Sequence, residues 1–203
     1  MYRQELEGDN IFVIPGFLSE ADCEQLIAQS EQHGYGDAPL WTGFGFVVDR
    51  TVRNNARVMV DDPALAAALW IRARPLIPAR FGRWEAVGLN ERLRYYRYDV
   101  HERFAPHYDG AFQRDDIEQS KLTFMVYLNE GFDGGETIFH KPGCMITVRP
   151  ERGKALVFAH RQLHEGAAVR RGRKYVLRTD VMYRKVNPSA AAEAVPSETC
   201  SLA

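Results

Sequence analysis

Three residues define the chemistry this chain could perform. His107 and Asp109 stand two apart in His107-Tyr108-Asp109, and His164 follows in Leu163-His164-Glu165-Gly166. Two imidazoles and one carboxylate can hold one face of a transition metal, leaving the opposite positions open to oxygen and a second small molecule. This is the ligand set of non-haem Fe(II) sites. The spacing suits the task. Residues two apart on a strand point to the same side, so His107 and Asp109 can share one ion. The second histidine must then come from a strand distant in sequence. Ligand contacts of roughly 2.0–2.2 Å are expected by analogy with zinc. Each histidine also needs a partner on its other ring nitrogen, which the sequence does not reveal.

A lone His-x-Asp arises by chance in many chains. Here its surroundings are ordered in a way chance does not supply. His107 follows a strand-like run from Arg92 to Tyr98, His164 follows Lys154-Ala-Leu-Val-Phe158, and Lys174 opens another run that reaches Tyr183.

Taken together, Tyr98-x8-His107-x-Asp109, Tyr127-Leu128-Asn129, Gly134-Gly135-Glu136-Thr137 and His164-x7-Gly172-x-Lys174 resemble the 2-oxoglutarate- and Fe(II)-dependent oxygenases. The prolyl 4-hydroxylase-like branch is the best match, over roughly residues 88–184. The resemblance implies Fe(II) on His107, Asp109 and His164, with 2-oxoglutarate as co-substrate and O2 as oxidant. Ascorbate is a candidate addition. The implied reaction couples oxidative decarboxylation of 2-oxoglutarate, giving succinate and CO2, to hydroxylation of a substrate.

A buried 2-oxoglutarate carboxylate without a cation would be very costly. The family places Lys or Arg on the strand after the distal histidine, and Lys174 holds the matching position. Arg178, four residues on, shares its face. It is either a second carboxylate contact or a partner of Asp180. Tyr98 and Tyr127 match tyrosines that line the co-substrate pocket in the family. The alternative for both is ordinary barrel core with the hydroxyl bonded elsewhere. Thr123 shares the face of Tyr127.

The resemblance stops at the substrate. Peptidyl-prolyl hydroxylases carry an arginine shortly before the third barrel strand and a tryptophan on the last. Ser120 and Asp180 stand there instead, which speaks against proline as the target. Arg94, Arg97 and Arg114 are candidate replacements. A cupin-like metal protein that does not use 2-oxoglutarate is the alternative reading. It would need no cation at the barrel floor, so Lys174 discriminates between the two. A catalytically silent barrel acting as a binding module is a third reading, against which the intact triad argues.

The elements that position these residues can be read from pattern. From Gly88 onward, short apolar runs alternate with turn residues, as in a jelly roll or double-stranded β-helix. Strands are expected near 91–98, 104–110, 121–129, 136–139, 144–149, 155–159, 164–169 and 173–184. Asp133-Gly134-Gly135 reads as a tight turn with positive φ. The loop 111–120 is polar and is expected to move.

Residues 1–87 read as a support region for this core. Ile11–Ile14 is a short buried strand. Ser19-x-x-Asp22 forms a capping box that opens a helix ending near His33-Gly34. The Gly- and aromatic-rich stretch 41–46 is either a packed surface loop or part of a substrate lid. A strand over 57–60 precedes a helix capped by Asp62 with Pro63 at its first position. Pro75 and Pro78 end that helix. Residues 187–203 read as a loosely ordered tail, and the C-terminal Cys200-Ser-Leu-Ala203 as an accidental prenylation box.

The 203 residues fit one domain with a substantial core. A net charge of −1 gives no bulk attraction to nucleic acid or an anionic membrane. The N-terminus has no apolar signal core and no run is long enough to span a bilayer. Three cysteines without paired spacing point to a reducing, cytoplasmic setting. The expected partner is a small-molecule or peptide substrate.

Overall fold

The computed structural model describes residues 1–41 and 43–186, with the Trp41 side chain outside the description. Two antiparallel sheets face each other. Among the described residues the larger has ten strands. Its main path runs Gln4–Glu7, Ile11–Ile14, Ala155–Ala159, Glu118–Tyr127, Lys174–Lys185, Arg92–Tyr98, Ala56–Asp61 and Gly36–Asp37. The smaller sheet runs Phe104–His107, His164–Gly166, Thr137–Lys141 and Cys144–Val148.

The strands at the centre of the larger sheet are apolar on both faces, because each face meets its own layer. Ile11 and Val13, Met125 and Tyr127, and Leu156 and Phe158 point inward, toward Phe139 and Val148 of the smaller sheet. Their neighbours Phe12 and Ile14, Phe124 and Val126, and Ala155 and Val157 point outward, against the helices. This two-residue alternation converts one apolar run into two cores. Fully burying a side chain of the size of Phe124 or Leu122 contributes about 1.5–3 kcal/mol.

Two helices close the outer core. Glu20–His33 starts as its sequence dictates: the Ser19 hydroxyl accepts from Asp22 N–H, and the Asp22 carboxylate accepts from Ser19 N–H. Pro63–Ala73 is capped by Asp62, whose carboxylate accepts from Leu65 N–H, and Pro75 falls in a 3-10 turn that ends it.

Several expectations need correction. The strand expected over 104–110 stops at His107, so Asp109 lies beyond its end; the Asp109 N–H is held instead by the His160 carbonyl at 3.2 Å. The run expected at 164–169 is two strands, His164–Gly166 and Val169–Arg171. A strand at Trp84–Leu89 pairs with the second half of Lys174–Lys185. A domain boundary at 87/88 would cut it, and residues 1–87 contribute several strands to the same sheet as the core. In the stretch expected as loop or lid, Leu40–Trp41 pairs with Phe46–Val47, and Phe44 is exposed. The loop before Glu118 is tied down, with Arg114 bonded to Glu91 and the Asp115 carboxylate accepting from Ile117 and Glu118 N–H. Residues 187–203, including the tail and Cys200, lie outside the described residues.

Candidate metal and co-substrate site

The site sits between the two sheets. His107 and His164 are cross-strand partners on Phe104–His107 and His164–Gly166. Antiparallel partners project to the same side, and the two rings lie 4.3 Å apart between centroids. Asp109 completes the group: His107 Nε2 is 3.7 Å from Asp109 Oδ1, and His164 Nε2 is 3.8 Å from Asp109 Oδ2. One ligand atom from each lies within 4.8 Å of the others.

Backbone carbonyls supply the partners the sequence did not reveal. His107 Nδ1 lies 2.8 Å from Ala105 O, and His164 Nδ1 lies 2.9 Å from Gln162 O. A carbonyl can only accept, so each Nδ1 carries the proton and each Nε2 presents a lone pair toward the group. Burial holds His107 down at about 4, helped by the neighbouring His164, and burial also lowers His164. Both imidazoles are therefore neutral at pH 7, as a metal ligand must be. Phe104 stacks on His107 at 3.5 Å.

Asp109 stays ionised although its side chain is only 5 % exposed. Burial alone would raise its pKa, but Arg178 and then the two histidines outweigh that and drive it well below the usual carboxylate range. Arg178 Nη2 is 3.0 Å from Asp109 Oδ1. The sequence offered a co-substrate carboxylate or Asp180 as the partner of Arg178, and the structure adds Asp109. Arg178 serves mainly as the partner of Asp109, with Asp180 Oδ1 a longer contact at 3.5 Å.

A directed hydrogen-bond chain supports the other carboxylate oxygen. Thr123 Oγ1 donates to Asp109 Oδ2 at 2.6 Å. With its proton so placed, Thr123 Oγ1 must accept from His160 Nδ1 at 3.1 Å, which leaves His160 Nε2 to accept from the Ser120 hydroxyl at 2.8 Å. Ser120 Oγ in turn accepts from Phe112 N–H. His160 was not singled out in the sequence: it lies four residues before His164 in no recognisable pattern, and only the fold brings it beneath Asp109.

Lys174 marks the opposite end of the cavity. It is 2 % exposed, and its Nζ donates to Gly135 O at 2.6 Å. Among the described residues it has no carboxylate within ion-pair distance. Burial lowers its pKa to about 7, only partly countered by Glu136. Gly135 makes this approach possible: a Cβ there would stand 3.0 Å from Lys174 Cδ, and its φ of +69° suits glycine. Tyr98 flanks the ammonium, its ring centroid 4.9 Å from Nζ, and lines the cavity. Tyr127 is 5.5 Å away by the same measure but does not line the cavity; its hydroxyl is bonded to Thr137 Oγ1 at 2.7 Å, and Thr137 is the lining residue. Tyr96, not expected from the sequence, lines it too and accepts from Arg178 at 3.4 Å.

The residues fit both absent groups. A metal would find two neutral imidazoles with fixed tautomers and an anionic carboxylate. A dicarboxylate would find a buried ammonium that lacks an anion. The substrate-side positions are taken up internally. Ser120 and Asp180 are both fully buried, in the network just described. Asp180 Oδ2 accepts from Arg94 at 3.0 Å. Arg114 is bonded to Glu91 and Glu118, and Arg97 to Glu31, so neither offers a free cation to the cavity.

Comparison with known proteins agrees with this geometry. Residues 93–179 match the 2OG-Fe(II) oxygenase superfamily. A probable prolyl 4-hydroxylase 3 of Arabidopsis thaliana is 26% identical over 197 residues, covering 81% of this chain and 66% of the relative. The chain thus spans just under two thirds of that relative's length, and less of others. Two solved structures share the fold. A prolyl hydroxylase from Trichoplax adhaerens, in complex with a hypoxia inducible factor peptide fragment, superposes with a TM-score of 0.68 at 17% identity, covering 87% of this chain and 84% of that one. The viral collagen prolyl hydroxylase of Paramecium Bursaria Chlorella virus-1, as its 2-oxoglutarate complex, gives 0.59 at 20% identity, covering 89% and 99%. The sheets described above are thus those of a double-stranded β-helix.

Proposed function

Residues 93–179 belong to the 2OG-Fe(II) oxygenases, in their prolyl 4-hydroxylase-like branch, and on that premise we propose that the protein is a non-haem Fe(II) dioxygenase. It couples oxidative decarboxylation of 2-oxoglutarate to hydroxylation of a substrate. In balance, 2-oxoglutarate, O2 and a substrate C–H become succinate, CO2 and a substrate C–OH. Bound by His107, Asp109 and His164, Fe(II) would supply the activation of O2 that this exchange requires.

The chain's own residues do the rest. The Ala105 and Gln162 carbonyls orient the two imidazoles. Arg178 and Thr123 hold the Asp109 carboxylate ionised and fixed. Lys174 takes the distal carboxylate of 2-oxoglutarate, in a cavity that Tyr98 and Thr137 also line. Phe104, Phe158 and Val176 wall the cavity and exclude water from between these groups.

The buried amine of Lys174, with no carboxylate at ion-pair distance among the described residues, carries the reading. A cupin-like metal protein that does not use 2-oxoglutarate has no need of such a costly group. The test is calorimetric titration of 2-oxoglutarate into the Mn(II)-loaded protein without oxygen, followed by Fe(II)-dependent succinate formation in air. Absence of both would refute the assignment.

The substrate is proposed as a small molecule or a peptide other than a proline-rich one, because Ser120 and Asp180 are committed to the internal network. Ascorbate is proposed as an auxiliary on the family resemblance. A reducing, cytoplasmic setting is proposed from the free cysteines, buried Cys23 and exposed Cys144.

A further inference from the structure

We propose that the substrate presents an anionic group, a carboxylate or a phosphate, to Arg53 and Arg57 at the side of the cavity. This inference rests on the oxygenase reading above and names the substrate class of the same site.

The larger sheet extends past the cavity. Tyr96 and Tyr98 line the cavity from Arg92–Tyr98, and Arg94 shares their face. The next strand, Ala56–Asp61, sets Arg57 directly across from Tyr96. Arg57 therefore projects on the same face, beside the cavity. Arg53 approaches from just before that strand. Its guanidinium carbon lies 4.5 Å from the centroids of both the Tyr96 and the Phe104 rings, two walls of the cavity.

Neither cation has a counter-ion among the described residues. Arg53 is 5 % exposed; its Nε donates to Asn55 Oδ1 at 2.8 Å, and its Nη2 is buried with no partner. Arg57 forms no ion pair among the described residues. Burial lowers its pKa first, and the cations Arg53, Arg94 and Arg178 add to that against Tyr96, which raises it. Burial pushes the Tyr96 phenol up, but Arg178, Arg53 and Arg94 outweigh it and bring it down to about 8, a measure of the local excess of positive charge.

The reaction partners do not neutralise this excess. Arg178 is committed to Asp109, Arg94 to Asp180, and Lys174 to the distal carboxylate of the co-substrate. The charges of the metal, Asp109, Lys174 and a dianionic 2-oxoglutarate sum to zero. Asp180 balances Arg94, and Asp109 is already counted against the metal, so Arg178 remains as an uncompensated charge together with Arg53 and Arg57. Two guanidiniums beside a partly dry cavity are matched by an oxyanion, which they can bind through paired, charge-assisted hydrogen bonds. The anion lies to one side of the metal group, so it fixes the substrate rather than reacts. Arg53 also has a purely mechanical alternative, as a plate behind Phe104, which stacks on His107. Arg57 has no such role and is the residue to test.

The experiment uses the full chain loaded with Mn(II) and saturated with 2-oxoglutarate, so that Lys174 is occupied. Benzoate, phenyl phosphate and benzamide are titrated calorimetrically. Either or both anions should bind, and benzamide should not; the stronger anion identifies the preferred oxyacid. Arg57→Gln should weaken the anion by about tenfold or more, and Arg57→Lys should keep part of the affinity. Manganese affinity, measured in the same variants, should hold, which a structural collapse would not allow. Benzamide binding as tightly as the anions, no anion binding, or an unchanged Arg57→Gln would overturn the inference while leaving the oxygenase reading intact. Failure of wild-type protein to bind 2-oxoglutarate at all would overturn that reading, and this inference with it.

Discussion

Replacing Lys174 with alanine tests the co-substrate site most directly, and its size can be worked from the structure. The ammonium is 2 % exposed and burial lowers its pKa from 10.5 to about 7. A carboxylate bound beside it should restore the charged form to its ordinary value or above. A recovery of that size, at about 1.4 kcal/mol per pKa step, corresponds to ~5 kcal/mol of coupling. Removing one member of a buried pair typically costs about 3–5 kcal/mol, which agrees. Lys174→Ala should therefore weaken 2-oxoglutarate by roughly 100- to 3,000-fold. Metal affinity should be little changed, because Lys174 contacts none of the three ligands. Lys174→Arg should recover part of the loss.

The same shift predicts a pH dependence with a definite sign. Between pH 7 and 10.5 the unfolded chain holds a proton on Lys174 that the ligand-free fold has released, so ligand-free stability should rise with pH across that window. The 2-oxoglutarate complex takes the proton back. At pH 8, binding should absorb close to one proton, and affinity should fall as pH climbs further. Calorimetry in two buffers of different ionisation enthalpy reads this directly. Wild-type affinity in Lys174→Ala, or no proton uptake at pH 8, would refute the reasoning.

Four further outcomes are expected. His107→Ala, Asp109→Ala and His164→Ala should each abolish tight Mn(II) binding with the circular dichroism of the fold retained; wild-type affinity in all three would remove the metal site. Arg178→Met should lower metal affinity by about 10- to 100-fold through loss of the Asp109 partner, while affecting 2-oxoglutarate less than Lys174→Ala does, a ranking that parallel titrations would check. Proline-rich peptides should stimulate succinate release weakly, and strong stimulation with hydroxyproline found by mass spectrometry would contradict the buried placement of Ser120 and Asp180. Gly134→Ala should destabilise by at least about 1 kcal/mol in thermal unfolding, since φ is +80° and the new Cβ would stand 2.3 Å from Ala168 O.

What the sequence showed and what it withheld divide along a physical line. Features encoded within a few residues were legible: the Ser19 capping box, Pro63 at a helix start, the positive φ at Gly134 and Gly135, and His107 with Asp109 two residues apart. Lys174 and Arg178 were placed on one face by the strand period, but period does not name a partner. That Arg178 reaches Asp109, from a segment nearly seventy positions earlier, depends on how the sheets stack. His160 and Arg53 were invisible for the same reason. Trp84–Leu89 escaped because it lacks a clean alternation: it has one neighbour on the Lys174–Lys185 strand and a two-residue one at Arg80–Phe81, so only Leu89 is buried. Tyr127 matched a pattern position, yet a threonine of the facing sheet claims its hydroxyl.

The twelve-residue strand Lys174–Lys185 carries Lys174, Arg178 and Asp180 at fixed intervals. At roughly 3.3 Å per residue it works as a ruler, setting about 13 Å between the Cα atoms of Lys174 and Arg178. A point substitution can change what stands at a mark, but a one-residue insertion or deletion within the strand would turn every later mark to the opposite face. Co-substrate recognition and support of the metal ligand are thus geometrically locked together. The strand Ala56–Asp61, which pairs Arg57 with the cavity-lining Tyr96, is a separate element and carries no such constraint. An engineer seeking a new substrate should alter that strand and leave the ruler untouched.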